Sequence, residues 1–183
     1  LHSRRAPEGL FATKVHWDQL ALIRAEAQAG THDRFVYETA DDLLDRLFPQ
    51  ARFVRIVRQD LDRQAVSYWR ALHSNVWSVG DEEAAGGVER EPRYDYGGID
   101  GCRREVEQGE LCWDRLLRAH GKDALVVTYE ELDANFTQTV ELVAGHVSPE
   151  ASVTVSAPRT RRLSDERSLE LLERFRSDRA AMM

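Results

Sequence analysis

Arg58 and Ser67 lie nine residues apart and are the pair in this sequence best spaced to hold a phosphate. Arg58 follows an apolar run, and Ser67 falls inside the amphipathic stretch after it. A helix starting near Asp60 would aim its N-terminal N–H groups at the space the guanidinium reaches. Arginine, hydroxyl and helix dipole together then receive an anion. The same spacing also allows Arg58 to pair with Asp60 or Asp62 while Ser67 faces water. A second group is Lys14-Val15-His16-Trp17. Strand alternation puts Lys14 and His16 on one face. A lysine there neutralises charge on a leaving oxygen, and a histidine titrating near neutrality takes a proton from an attacking hydroxyl. Trp17 offers a flat wall for a sugar or a base; the alternative is a satisfied histidine beside a core tryptophan. The third group, Arg159, Arg161 and Arg162, crowds cations into an aperiodic segment. It is either an anion clamp or a solvated basic turn.

These groups need strands and helices to place them. Gly9 to Trp17 reads as a short strand with its functional end at Lys14–Trp17, and a helix follows from Asp18, a capping candidate, to Ala29 before Gly30. Ala40 to Phe48 reads as a short helix with Leu43, Leu44 and Leu47 on one side, stopped by Pro49. Phe53–Val57 is a near-continuous apolar run of the kind covered on both faces. Leu61, Ala65, Tyr68, Leu72 and Val76 then recur at helical spacing, with Asp60 as N-cap. Residues 78–93 read as a mobile loop, either a lid or plain surface. Ile99, Cys102, Val106, Trp113 and Leu116 mark one face of a helix over Gly98–Ala119, ended by Gly121. Ala124–Thr128 is a second buried-type strand. Glu130 and Glu131 after it are an acid pair or, more ordinarily, caps for a helix with Leu132, Phe136, Val140 and Val143 inside. Residues 147–162 are irregular, and Ser164 caps a last helix with Leu171, Leu172 and Phe175 on its inner face. Strands alternating with helices predict an α/β fold with a parallel sheet flanked by helices, in one domain over 1–183. In such sheets ligands sit beyond the C-terminal strand ends, which selects Lys14–Trp17, Arg58–Ser67 and Thr128–Glu131.

Composition narrows the field. The chain has 183 residues, 42% of them hydrophobic and 31% charged, which suits one folded domain. No run approaches the ~18 apolar residues of a membrane span. A net charge of −7 argues against a nucleic-acid partner but leaves room for a small anion bound by local positive charge. Lys14 and Lys122 are the only lysines among 25 basic residues, the rest being arginine. Cys102 and Cys112 lie ten apart on one expected helix, ~15 Å along its axis. They cannot bridge to each other, which points to a reducing, cytoplasmic compartment. The histidines show no metal spacing, two cysteines make no zinc site, and no Walker loop, dinucleotide fingerprint or hydrolase elbow is present.

The run Arg58 to Ala71 (RQDLDRQAVSYWRA) after a strand resembles the 3′-phosphate-binding element of sulfotransferases, most closely the bacterial trehalose 2-sulfotransferase-type (Stf0-like) family. Phe11 to Gln19, Tyr94 to Asp100 with the later Trp113, Val126 to Leu132 and Arg162 to Arg176 fit the same family in order, covering about 9–178. The resemblance implies an α/β sheet related to P-loop NTPases and a donor, 3′-phosphoadenosine 5′-phosphosulfate (PAPS), with no metal. It implies that Arg58 and Ser67 hold the 3′-phosphate and that Arg162, with Arg161, closes over the nucleotide. In the wider class a Lys-x-His pair after a strand gives roles to Lys14, on the bridging oxygen, and to His16, as base. Trp17 and Trp77 are the candidates for acceptor binding. The expected reaction is sulfuryl transfer to a small-molecule hydroxyl, of a sugar or glycolipid, by a possible homodimer. The family's opening βα unit, with its phosphosulfate loop, is not in the chain, so the domain is expected to be N-terminally incomplete. The alternatives are a kinase-like phosphotransferase on the related fold, or an inactive binding or dimerisation module.

Overall fold

The computed structural model describes residues 2–5, 11–28, 49–74, 76–77, 92–119, 121–150, 153–158 and 165–182. The expected helix over 40–48, most of the loop over 78–93, and Arg159, Arg161, Arg162 and Ser164 lie outside them. In chain order the elements are β1 (His2–Arg5), β2 (Phe11–Lys14), α1 (Trp17–Gln28), β3 (Phe53–Val57), α2 (Leu61–Ser74), α3 (Tyr96–Ala119), β4 (Ala124–Thr128), α4 (Tyr129–Ala134), α5 (Phe136–Val147) and α6 (Glu166–Met182). The architecture is α/β, as the alternation of periods predicts. β3 pairs with β4. The two run parallel: the chain just past one C-terminal end bonds to the chain just past the other, Glu130 accepting from the N–H of Gln59.

The chain divides into two compact units, Leu1–Phe53 with Gly109–Ala124, and Val54–Gln108 with Leu125–Met183, so that the division falls inside α3. The first unit opens with an antiparallel pair, β1 on β2, with His2 opposite Lys14 and Arg5 opposite Phe11. The polar HSRR run carries no strand period, so β1 has no signature of its own and forms by pairing with its neighbour. α1 starts one residue earlier than expected and is not capped by Asp18. His16 is the N-cap: its carbonyl takes the N–H of Leu20 at 3.1 Å, and its own N–H donates to Gln19 Oε1 at 3.1 Å. That is the returning half of a capping box. The Trp17 indole meets Trp113 edge-on, centroids 5.7 Å apart, and Gly109 lies against it. At its C-terminus α3 stops in a Schellman turn. Gly121 takes φ +56°, a conformation glycine adopts without steric cost. The N–H groups of Gly121 and Lys122 return to the carbonyls of Arg118 and Leu117.

The second unit holds the main core: Ala65 and Val66 from α2, Ile99 and Cys102 from α3, and Leu171, Leu172 and Phe175 from α6. Burying a side chain of the size of Val66, Ile99, Leu171 or Phe175 stabilises the fold by ~1.5–3 kcal/mol. Tyr68, Trp69, Tyr94 and Tyr96 pack around it. Trp69 lies so close on Gly98 that a Cβ there would stand 2.2 Å from the indole. Asp165, not Ser164, caps α6: its Oδ1 accepts from the N–H of Ser168 at 2.8 Å. The Arg70 guanidinium on α2 grips the same carboxylate at 2.7 and 3.0 Å. Desolvation pushes Asp165 up, but the Arg70 and Ser168 bonds outweigh it and hold the carboxyl at about 2. The expectation of two strands covered on both faces is only half met. Val127 is buried at 3%, but Ile56 and Val126 are 60% and 53% exposed.

Candidate functional site

Arg58 is the first residue beyond β3, where the strand's last apolar position gives way to the turn into α2. Asp60 caps that helix: its carbonyl takes the N–H of Gln64 at 3.0 Å, and its Oδ1 takes the N–H of Arg63 at 3.0 Å. The amides of the first turn are therefore partly spent on the cap, and Arg58 adds a guanidinium beside them. Its pairing with Asp60 or Asp62 does not occur. Asp60 takes both its oxygens to Arg176 of α6, at 2.8 Å each. Asp62 takes Arg103 of α3 at 3.0 Å and Arg179 of α6 at 2.8 Å. Arg58 instead stands over the Tyr129 ring, 4.0 Å from its centroid. A ring attracts a cation, but it does not saturate the guanidinium N–H donors as a carboxylate does, and these are what a phosphate needs. Ser67 is on α2 and exposed, beside the buried Val66.

The two glutamates after β4 divide their work. Glu131 completes a capping box for α4, exchanging bonds with Thr128 at 2.9 and 3.0 Å. Glu130 reaches across to the neighbouring strand end and accepts from the N–H groups of Gln59 at 3.2 Å and Asp60 at 3.5 Å. Burial pushes the Glu130 carboxyl up; those N–H groups and the nearby Arg58 charge overcome this and lower it. Arg58 and Ser67 thus share one strand–turn–helix piece, held by Tyr129 and Glu130. Sequence reasoning selected the Thr128–Glu131 strand end that carries both partners but did not join either of them to Arg58. The aromatic-acid pair directly after a strand end was the available signal.

Lys14, His16 and Trp17 belong to the other unit, at the β2–α1 junction. β2 ends at Lys14, so strand alternation does not govern His16, which sits at the helix cap. His16 is exposed, yet the atoms around its ring desolvate it enough to lower its pKa, and the Lys14 charge lowers it further. The imidazole is neutral at ordinary pH and has a lone pair to accept a proton. Lys14 is exposed and Trp17 half-buried. Trp77 follows α2 and is 55% exposed, with its ring 6.0 Å from that of Tyr68. The Tyr68 hydroxyl donates to Glu105 at 3.0 Å. Among the described residues no helix is long and apolar enough to cross a membrane, and no cluster of His, Cys, Asp and Glu is arranged to hold a metal.

The family model for Stf0 sulphotransferase matches residues 1–178. The trehalose 2-sulfotransferase of Mycobacterium tuberculosis (strain ATCC 35801 / TMC 107 / Erdman) is 28% identical over 176 residues, which are 96% of this chain and 64% of that protein. The trehalose 2-sulfotransferase of Mycolicibacterium smegmatis (strain ATCC 700084 / mc(2)155) is 27% identical over 176 residues, 95% of this chain and 63% of its own length. The chain therefore spans a little under two thirds of the curated relatives it matches.

Proposed function

Since this chain belongs to the Stf0 sulphotransferase family, we propose that it serves a sulfotransferase that moves a sulfuryl group from PAPS to a hydroxyl of a carbohydrate, trehalose or a related glycoside. Arg58 and Ser67 hold the 3′-phosphate of the donor. Arg162, with Arg161, closes over the nucleotide from the C-terminal side. The acceptor oxygen attacks sulfur, and the bond from sulfur to the bridging oxygen of the 5′-phosphate breaks. The acceptor proton passes to His16, and Lys14 neutralises the oxygen that leaves. The products are a sulfate ester and adenosine 3′,5′-bisphosphate. Trp17 and Trp77 face the acceptor. We place the reaction in the cytoplasm.

The observation that carries this reading is Arg58 over Tyr129, with both nearby aspartates neutralised by other arginines. It leaves a directed guanidinium at a C-terminal strand end, where ligands of parallel sheets bind. Arg58→Ala tests it. Calorimetry with adenosine 3′,5′-bisphosphate should show binding weakened by ~2–5 kcal/mol. Unchanged affinity would refute the assignment.

A further inference from the structure

Arg58 leaves its strand on a long, rotamer-rich side chain, and such a chain loses affinity if it must be immobilised when the ligand arrives. We propose that Tyr129 is a positioning residue: its ring, placed against the Arg58 guanidinium, fixes the direction from which Arg58 meets the 3′-phosphate of the donor. The inference rests on the functional reading above and names a residue that acts on that site through Arg58.

The contact is locked from both sides. Tyr129 is the first residue of α4, whose start is fixed by the Thr128–Glu131 capping box. The next residue, Glu130, binds the backbone N–H of Gln59, which directly follows Arg58. The guanidinium and the ring are thus carried by two backbones tied together one residue further on, and neither can drift alone. A carboxylate in the place of the ring would compete with phosphate for the same donors, whereas the ring holds the cation by its π-face. An aromatic residue is thus the side chain that can orient Arg58 without occupying it.

Calorimetry with adenosine 3′,5′-bisphosphate and with adenosine 5′-phosphate tests this, because the ratio of the two affinities isolates the 3′-phosphate. In Tyr129→Leu the ratio should fall about five-fold while the affinity for adenosine 5′-phosphate holds. Tyr129→Phe, which keeps the ring, should keep the ratio. In the Arg58→Ala background the Tyr129→Leu change should have no further effect. The proposal is overturned if Tyr129→Leu leaves the ratio intact, weakens both nucleotides alike, or still acts without Arg58. Tyr129→Met removes the ring by a second route and is read the same way should the leucine variant fail to fold. A ratio of one in the wild type, or one retained by Arg58→Ala, brings down the functional reading and this inference together. A ratio lost in Arg58→Ala but untouched in Tyr129→Leu brings down only the inference.

Discussion

The chain passes from strand to helix at Lys14–Trp17 and again at Val57–Leu61, and the two turns are held by different means. The backbone of the first is capped by its own residues, the N–H of His16 donating to Gln19 and that of Leu20 to His16, and its remote contact is the apolar one of Trp17 with Trp113. The second has a local cap in Asp60, but it is also held from far away in sequence. Glu130 arrives from 71 residues beyond Gln59, Arg176 and Arg179 from more than a hundred residues on, and Arg103 from 41 residues past Asp62. Hydrogen bonds made within a turn can open locally, while those made to remote elements open only with the unit around them. Rigidity of that kind suits a group that recognises a fixed anion. A turn that can adjust suits a base that must follow its substrate.

Three results would break or sharpen this contrast. The largest effect is expected at the adjustable turn. His16→Ala should lower turnover by ~10²–10⁴-fold at saturating donor, with thermal stability little changed. Because burial and Lys14 both lower the His16 pKa, the acid limb of the rate profile should lie below the ordinary 6.5 and vanish in the variant. Near-normal turnover would move the base elsewhere.

The second comparison pits Asp62→Ala against Gln19→Ala. The Asp62 side chain is only 17% exposed and takes two arginines at 3.0 Å or closer. Its loss should cost ~1–3 kcal/mol in chemical denaturation, below the value for a fully buried pair because its partners are part-exposed. Loss of the Gln19 cap bond should cost no more than about 1 kcal/mol. Equal costs would erase the distinction between the turns.

The smallest effect concerns acid. Asp165 is held near 2 against an ordinary 3.8, so its stabilisation is complete above pH 4 and fades as pH falls toward 2. Asp165→Asn should unfold at lower denaturant than the wild type at neutral pH, and the two should converge below about pH 2. A gap that persists there would assign the effect to something other than the ionised carboxylate.

Much of the frame was legible because its signals are local. Phe53–Val57 and Ala124–Thr128 are five-residue runs with four apolar residues each, and both fold as strands over those limits. Asp60 precedes a clear helical period and caps it. Gly121 ends a long amphipathic run, and the backbone there needs positive φ. Where two cap-type residues adjoin, as Ser164 and Asp165 do, sequence cannot choose, and the choice fell on the side chain that Arg70 could also grip. The site was half legible. Arg58 stood out by type and place, but the route by which Glu130 reaches Gln59 crosses 71 residues and leaves no pattern in either segment. Burial of the strands was misread for a similar reason: an apolar run records what a strand can bury, while Ile56 and Val126 remain largely open.

The contact of Trp69 on Gly98 bears on how this chain can change over generations. With an indole already inside the radius of any methyl at position 98, neither position can drift by single steps: alanine at 98 is sterically barred until 69 shrinks, and a smaller 69 opens a void until 98 grows. A residue larger than glycine at 98 should therefore be found only beside a smaller residue at 69, and an alignment of relatives can score that by simple counting.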